Sequence, residues 1–226
     1  LPIAIAAARA GAHLLIEKPV SHNLEEIDTL AAEVSRQSLQ VLVGYQFRFH
    51  PGLQQIKAWI DTGAIGDVVS AQVHWGEHLP HMHPWEDYRR GYAARTDLGG
   101  GVLLTLCHPF DYLRWLLGEI DSVAAIAPVR NPLSVEVETC ADVSLGFASG
   151  ATGHVHLNFI QRPSEHRITI VGTTGTVTWN QTDQAARLYS SGTGQWLVSP
   201  VPAGFERNSM FVEELRHFLA CVRGDS

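Results

Sequence analysis

The apolar positions at the start of the chain fall into two alternating rhythms. Ile3 to Ala10 is rich in strong helix formers and runs into Gly11, the residue suited to the left-handed turn that ends a helix. His13-Leu14-Leu15-Ile16 is short, apolar and uninterrupted, the pattern of a strand buried on both faces. Ser21 and Asn23 offer N-caps for a helix whose apolar positions Ile27, Leu30, Ala31 and Val34 recur at helical spacing. Leu39 to Val43 reads as a second buried strand. Helix, strand, helix, strand is the repeating unit of a doubly wound parallel sheet, in which polar residues at strand ends face a ligand crevice.

After Gly44 the rhythm changes. His50-Pro51 opens a helix to about Thr62, with Pro51 suited to its first turn, and Gly63-Ala64-Ile65-Gly66 turns into a strand from Val68 to Trp75. Gly76 to Arg95 is dense in His, Pro, Trp, Tyr and Arg without a clean period, which predicts a long functional loop. Asp97-Leu98-Gly99-Gly100-Gly101 leads into one apolar helix ending at Gly118. Alternating stretches at Val123 to Val129, Glu138 to Phe147, Thr152 to Phe159, Arg167 to Val171 and Thr176 to Trp179 predict an antiparallel sheet. A helix from about Ser209 to Val222 closes the pattern.

Composition narrows the function classes. The 226 residues, with average apolar and charged fractions, describe a folded globular chain, and the formal charge of -7 with scattered basic residues lacks the footprint that phosphate backbones require. No nucleic-acid partner is expected. No apolar run reaches the ~20 residues that span a bilayer, and the opening residues lack the charged leader of a signal peptide, so no membrane association and a cytosolic location are expected. Cys107, Cys140 and Cys221 are odd in number and widely separated, which points to reduced core thiols.

Lys18 directly follows a buried strand and precedes a proline, placing an amine on stiff backbone at the mouth of the parallel sheet. An amine there can hydrogen-bond an alcohol oxygen and stabilise a developing alkoxide; position alone leaves a turn lysine as the alternative. His108 sits among Leu103, Leu104, Leu106 and Phe110, with Thr105 three residues before it and Asp111 three after. On one continuous helix both neighbours would share its surface and could fix its tautomer, as a general base requires; the plainer reading is a core histidine. The triple glycine would permit close approach of backbone to a ligand or a facing domain. His78, His81 and His83 in the loop, and His154 and His156 on one strand face, follow no metal-ligand spacing, and no cysteine joins them, so no metal is expected. Tyr88, Arg89, Arg90, Tyr92 and Arg95 offer donors for hydroxyls, carboxylates or phosphates, with a solvated loop as the equal alternative.

Five segments taken in order carry a resemblance: Glu17-Lys18-Pro19; Gly44-Tyr45-Gln46-Phe47-Arg48-Phe49-His50-Pro51; Gly63-Ala64-Ile65-Gly66-Asp67; Gly99-Gly100-Gly101 with His108-Pro109-Phe110-Asp111; and Ile170-Val171-Gly172-Thr173-Thr174-Gly175-Thr176-Val177. Their sequence and spacing are similar to the Gfo/Idh/MocA oxidoreductases over nearly the whole chain. The resemblance implies that residues 1–44 are the C-terminal remainder of a dinucleotide-binding Rossmann domain. It makes residues 45–226 a substrate-binding α+β domain with an open, mainly antiparallel sheet, often an oligomer interface. It also implies NAD or NADP as cofactor and roughly a hundred residues ahead of Leu1, where the Gly-rich phosphate loop would lie. Both ends of the chain read as cut points.

Carried over residue by residue, the resemblance makes Lys18 the lysine that contacts the reacting oxygen and His108 the acid-base histidine. Glu17, Lys18, Pro19 and Gln46 fall on the cofactor side; Arg48, Tyr92, Arg95 and Thr105 fall on the substrate side. The family's aspartate four residues before the histidine is Leu104 here, and Thr105, the nearest polar substitute, cannot hold an imidazolium as a carboxylate does. Tyr92-Ala93-Ala94-Arg95 resembles a branch associated with surface-sugar pathways. The implied reaction is hydride exchange between NAD(P) and a hydroxyl carbon of a sugar, sugar derivative or cyclitol. The alternatives are elimination or glycoside cleavage by a tightly held NAD with no net redox change, and a sugar- or cofactor-sensing homologue without catalysis.

Overall fold

The computed structural model describes residues 1–128 and 131–225. They form two compact units, Leu1–Phe49 with the residues from Phe205 onward, and His50–Gly204. The boundary expected after Gly44 thus falls after Phe49, and the closing helix expected to finish the second domain groups with the first unit.

In the first unit, helix α1 (Pro2–Arg9), strand β1 (Leu14–Glu17), helix α2 (Ile27–Gln37) and strand β2 (Val41–Gly44) follow the predicted order. β1 and β2 pair in parallel, from Leu14 opposite Val41 to Glu17 opposite Gly44. Ile5, Ala8, Leu14 and Leu30 make a small core. The strands are not buried on both faces as expected: successive side chains alternate across the pleat, and Leu15 keeps 42% of its surface exposed. Nor do Ser21 and Asn23 cap α2. Glu26 occupies the N-cap in a left-handed conformation, while Asn23 Oδ1 accepts from Glu25 N in the turn ahead of it. A 3-10 turn (Gln46–Phe49) follows β2 and packs against the last helix, α7 (Arg207–Arg223). A capping box starts α7: Ser209 Oγ accepts from Glu206 N, and the Glu206 side chain returns a bond to the backbone of Ser209.

The second unit opens with α3 (Pro51–Asp61), capped by His50 Nδ1, which accepts from Gly52 N at 3.0 Å. Strand β3 (Val68–His78) runs three residues past its predicted end, and one helical turn, α4 (Leu79–Met82), follows, so the expected long loop is shorter and partly ordered by secondary structure. The single helix expected after the glycines is two: α5 (Val102–Thr105) and α6 (His108–Leu117), separated by Leu106 and Cys107. Pro109 explains the break, because it lacks the N–H that would continue the ladder and fits only the first turn of a new helix.

Strands β4 (Ile120–Ile126), β5 (Cys140–Phe147), β6 (Thr152–Asn158), β7 (Ile160–Gly172), β8 (Gly175–Asn180), β9 (Ala186–Ser190) and β10 (Gln195–Ser199) join β3 in an eight-stranded sheet ordered β10-β9-β8-β7-β3-β6-β5-β4. Val129, expected in the first of these strands, lies outside the described residues. β9 and β10 were not predicted. All neighbours are antiparallel except β3 and β6, which run parallel. The central strands of the sheet are two-faced. Ala71, Val73 and Trp75 of β3, Val155 and Leu157 of β6, and Ile168 and Ile170 of β7 point to the core with Leu53 and Ile56 of α3 and Tyr112, Leu113 and Leu116 of α6. The other face carries Gln72, His74, Asp142, His154, His156 and Arg167.

Candidate active site

In the first unit, Glu17 is the last residue of β1, and Lys18, half-buried, follows it at the carboxyl end of the parallel pair. Glu17 Oε2 accepts from Lys18 N at 3.3 Å, folding the carboxylate back over the start of the turn. Gly44 stands opposite, where a Cβ would come 3.2 Å from Glu17 Oε2, so a side chain there would crowd the motif. Gln46, 5% exposed, and Arg48, half-buried, lie in the 3-10 turn beyond β2. Sequence reasoning missed Glu214 of α7. It is 4% exposed, and its Oε1 has no hydrogen-bond partner among the described residues. Burial, and then the neighbouring charge of Glu17, push its carboxyl up to about 7. No local pattern marks this residue, because its burial comes from the packing of α7 within the unit.

In the second unit, His108 is the first residue of α6 and is 3% exposed. Thr105, also 3% exposed, ends α5, so the two stand on separate helices and not on the one continuous helix expected. His108 joins a row of buried rings instead. Its ring lies 5.9 Å from that of Trp75, Trp75 lies 4.2 Å from His166, and His166 meets Trp179 edge-on at 5.0 Å. Tyr112 Oη and His166 Nε2 share a hydrogen bond of 3.0 Å. Burial, followed by the nearby imidazoles of His108, His50 and His74, holds His166 well below its ordinary value, and burial raises the Tyr112 phenol. Trp75, Tyr112 and His166 escaped sequence reasoning: His166 sits one residue before the predicted strand, and only the register of β7 against β3 sets it opposite Trp75.

Tyr92, 48% exposed, lies in a 3-10 turn (Tyr92–Ala94), and the Arg95 guanidinium is already held by the Asp97 carboxylate through two hydrogen bonds. Arg95 lines an open cavity of about 460 Å³ with Arg89, Arg90, Asp97, Ser134 and Glu136. The glycines ahead of α5 approach this chain's own backbone. A Cβ on Gly100 would come 2.5 Å from Tyr92 O and 2.8 Å from Ala93 O, and Gly101 takes φ +104° against the Glu138 carboxylate. Lys18, Glu17, Pro19, Gln46 and Arg48 thus belong to the first unit, and Tyr92, Arg95, Thr105 and His108 to the second.

The residues at the end of β1 fit one end of a dinucleotide. Carboxyl ends of parallel strands are where such ligands bind, and Lys18 supplies a cation on a backbone fixed by Pro19 and cleared by Gly44. The phosphate-cradling glycine loop is not among these 226 residues.

Two family models cover most of the chain. The GFO/IDH/MocA C-terminal domain matches residues 53–178, and the oxidoreductase-family NAD-binding Rossmann fold matches residues 2–45. The chain belongs to the Gfo/Idh/MocA oxidoreductase family. Within it, levoglucosan dehydrogenase of Pseudarthrobacter phenanthrenivorans is 25% identical over 99% of this chain and 68% of its own length. Myo-inositol 2-dehydrogenase of Thermotoga maritima is 30% identical over 67% of this chain and 44% of its own, and an uncharacterized oxidoreductase of Synechocystis is 30% identical over 74% and 48%. A solved levoglucosan dehydrogenase in complex with NADH has the same fold, with a TM-score of 0.87 at 24% identity over 99% of this chain and 68% of that one. The chain spans about half the length of several curated relatives it matches.

Proposed function

We propose that the chain is part of an NAD(P)-dependent dehydrogenase acting on a CH–OH group of a sugar, sugar derivative or cyclitol. The observation that carries this reading is Lys18 at the carboxyl end of the parallel pair β1–β2, within a family whose similar members include dehydrogenases of levoglucosan and inositol. Residues 1–44 are then part of a dinucleotide-binding domain. Bound NAD(P) would accept hydride from the carbinol carbon. Lys18 hydrogen-bonds the reacting oxygen and stabilises its developing negative charge, and His108 takes the hydroxyl proton. Trp75 fixes the His108 ring plane from one side. Glu17, Pro19 and Gln46 shape the cofactor side, and Arg48, Tyr92, Arg95 and Thr105 orient the substrate. The protein works in the cytosol as a homo-oligomer joined through the sheet of the second unit; no helix among the described residues is long and apolar enough to cross a membrane.

Following nicotinamide absorbance over a panel of sugars and cyclitols with the whole protein tests the reading. Lys18→Ala should lower turnover roughly a hundredfold to ten-thousandfold with the unfolding midpoint unchanged. Unchanged turnover would remove Lys18 from the mechanism. Saturable sugar binding with no turnover across the panel would overturn the dehydrogenase assignment.

A further inference from the structure

The polar face of the eight-stranded sheet gathers side chains that the proposed reaction does not use. In β5, Cys140 and Asp142 are two residues apart and so lie on the same face; in β6, His154, His156 and Asn158 do the same. The antiparallel register sets His156 opposite Asp142 and Asn158 opposite Cys140, which makes His156 the diagonal neighbour of the thiol. The Cys140 sulfur, an Asp142 oxygen and a His156 nitrogen all lie within 4.8 Å of one another. The sequence expectation that no cysteine joins the strand histidines is therefore wrong. Cys140 is far from them along the chain, and pairing of β5 with β6 brings it alongside.

We propose that Cys140, Asp142 and His156 form a binding site for a divalent transition-metal ion of the zinc or cobalt type. Three observations support this. The donor set mixes sulfur, nitrogen and oxygen, which suits borderline-soft ions and not calcium or magnesium, whose sites are built from oxygen alone. Thiolate and carboxylate together supply two negative charges against the two of the ion, so the filled site is neutral. A shell of partners already orients the ligands: Asp142 Oδ1 is 2.8 Å from His156 Nδ1 and 3.4 Å from His154 Nε2. The His74 ring stacks over His156 at 4.9 Å.

Binding needs small movements only. In a tetrahedral site with metal–ligand bonds of about 2.0 Å to nitrogen and oxygen, those two atoms stand ~3.3 Å apart, so the His156–Asp142 pair opens by about half an ångström and the sulfur draws in. His156 binds neutral through Nδ1 with its ring proton on Nε2, from which the Asn158 amide nitrogen, 3.2 Å away, turns aside, and the Cys140 thiol releases its proton to solvent. His154 or a water completes the coordination.

The site is tested on the purified chain, first stripped with chelator, by titration with cobalt(II) alone. One equivalent should bind and produce a thiolate-to-cobalt charge-transfer band together with tetrahedral d–d absorption, and zinc(II) should displace it. Cys140→Ser should abolish the charge-transfer band, whereas Cys107→Ser and Cys221→Ser should leave it. Asp142→Asn and His156→Gln, with circular dichroism verifying the fold, should each weaken binding by roughly tenfold or more. A band that persists in Cys140→Ser, or no saturable binding by the folded chain, overturns the proposal.

Discussion

Trp75 and His166 lie face to face, their ring centroids 4.2 Å apart and their planes within 4° of parallel. Adjacent strands β3 and β7 put them there, directly opposite in register, and both side chains are buried. Trp75 also borders His108, so one indole supports both a packed core histidine and the proposed acid-base histidine. Trp75→Ala should therefore destabilise the second unit by about 3–5 kcal/mol, the usual cost of deleting a buried large aromatic side chain. Trp75→Phe, which keeps a stacking ring, should cost less than half of that. Denaturant unfolding of the two variants measures the difference.

The buried histidines make the second unit acid-sensitive. Burial lowers His50 from an ordinary 6.5 to about 4, with a smaller opposing contribution from a hydrogen bond to Gln184, and burial likewise holds His166 well below its ordinary value. A depressed value in the folded state means that the stability is complete above the unfolded value and is lost as the proton binds. Stability should therefore fall as pH drops from 6.5 toward 4, His50 alone accounting for a loss on the order of 3 kcal/mol. Thermal unfolding across that range should show the decline, and His50→Gln should flatten part of it.

Glu214 acts in the opposite sense. Its folded value is raised from 4.5 to about 7, so the neutral acid is the form that suits the fold, and stability is lost as pH rises from 4.5 through 7. Glu214→Gln should be silent below the lower value and should stabilise the first unit by roughly 3 kcal/mol near pH 8. Glu17→Gln, which removes the neighbouring charge, should lower the folded value of Glu214 and so leave the onset of the loss near 4.5 while making the total loss smaller. Unfolding midpoints of the three proteins at acid and alkaline pH distinguish these outcomes.

Gly100 has no room for a side chain. The backbone oxygens of Tyr92 and Ala93 and the nitrogen of Arg95 surround the place a Cβ would take, and backbone cannot rotate away as a side chain can. Gly100→Ala should cost about 1–3 kcal/mol and loosen the turn that carries Tyr92 and Arg95. The same substitution at Gly118 meets open space but a positive φ of 94°, so its cost should be backbone strain alone. Comparing the two variants by limited proteolysis of the 92–101 segment separates crowding from strain.

The helices and strands of the first unit were legible because each is a continuous stretch with one period, ended by Gly11 or by the Lys18-Pro19 pair. The break at His108 was not read, since Leu103, Leu104 and Leu106 continue an apolar pattern straight across it while Pro109 interrupts the hydrogen-bond ladder. β10 escaped for a different reason: Gln195–Ser199 is almost wholly exposed, so it lacks the apolar alternation that betrays a half-buried strand.

By itself the sequence determined the local features of this protein: the parallel strand–helix unit, the lysine at its carboxyl edge, the histidine after the triple glycine, and the family resemblance carried by five spaced motifs. Each depends on neighbours within a few residues, where backbone geometry and periodicity act. Only tertiary structure decided that α7 belongs with the first unit, that Glu214 meets Glu17, that Trp75 stacks on His166, and that Cys140 reaches His156. Those relationships depend on strand register and helix packing between segments tens to hundreds of residues apart, and a one-residue slip in register would turn every one of the strand side chains to the opposite face.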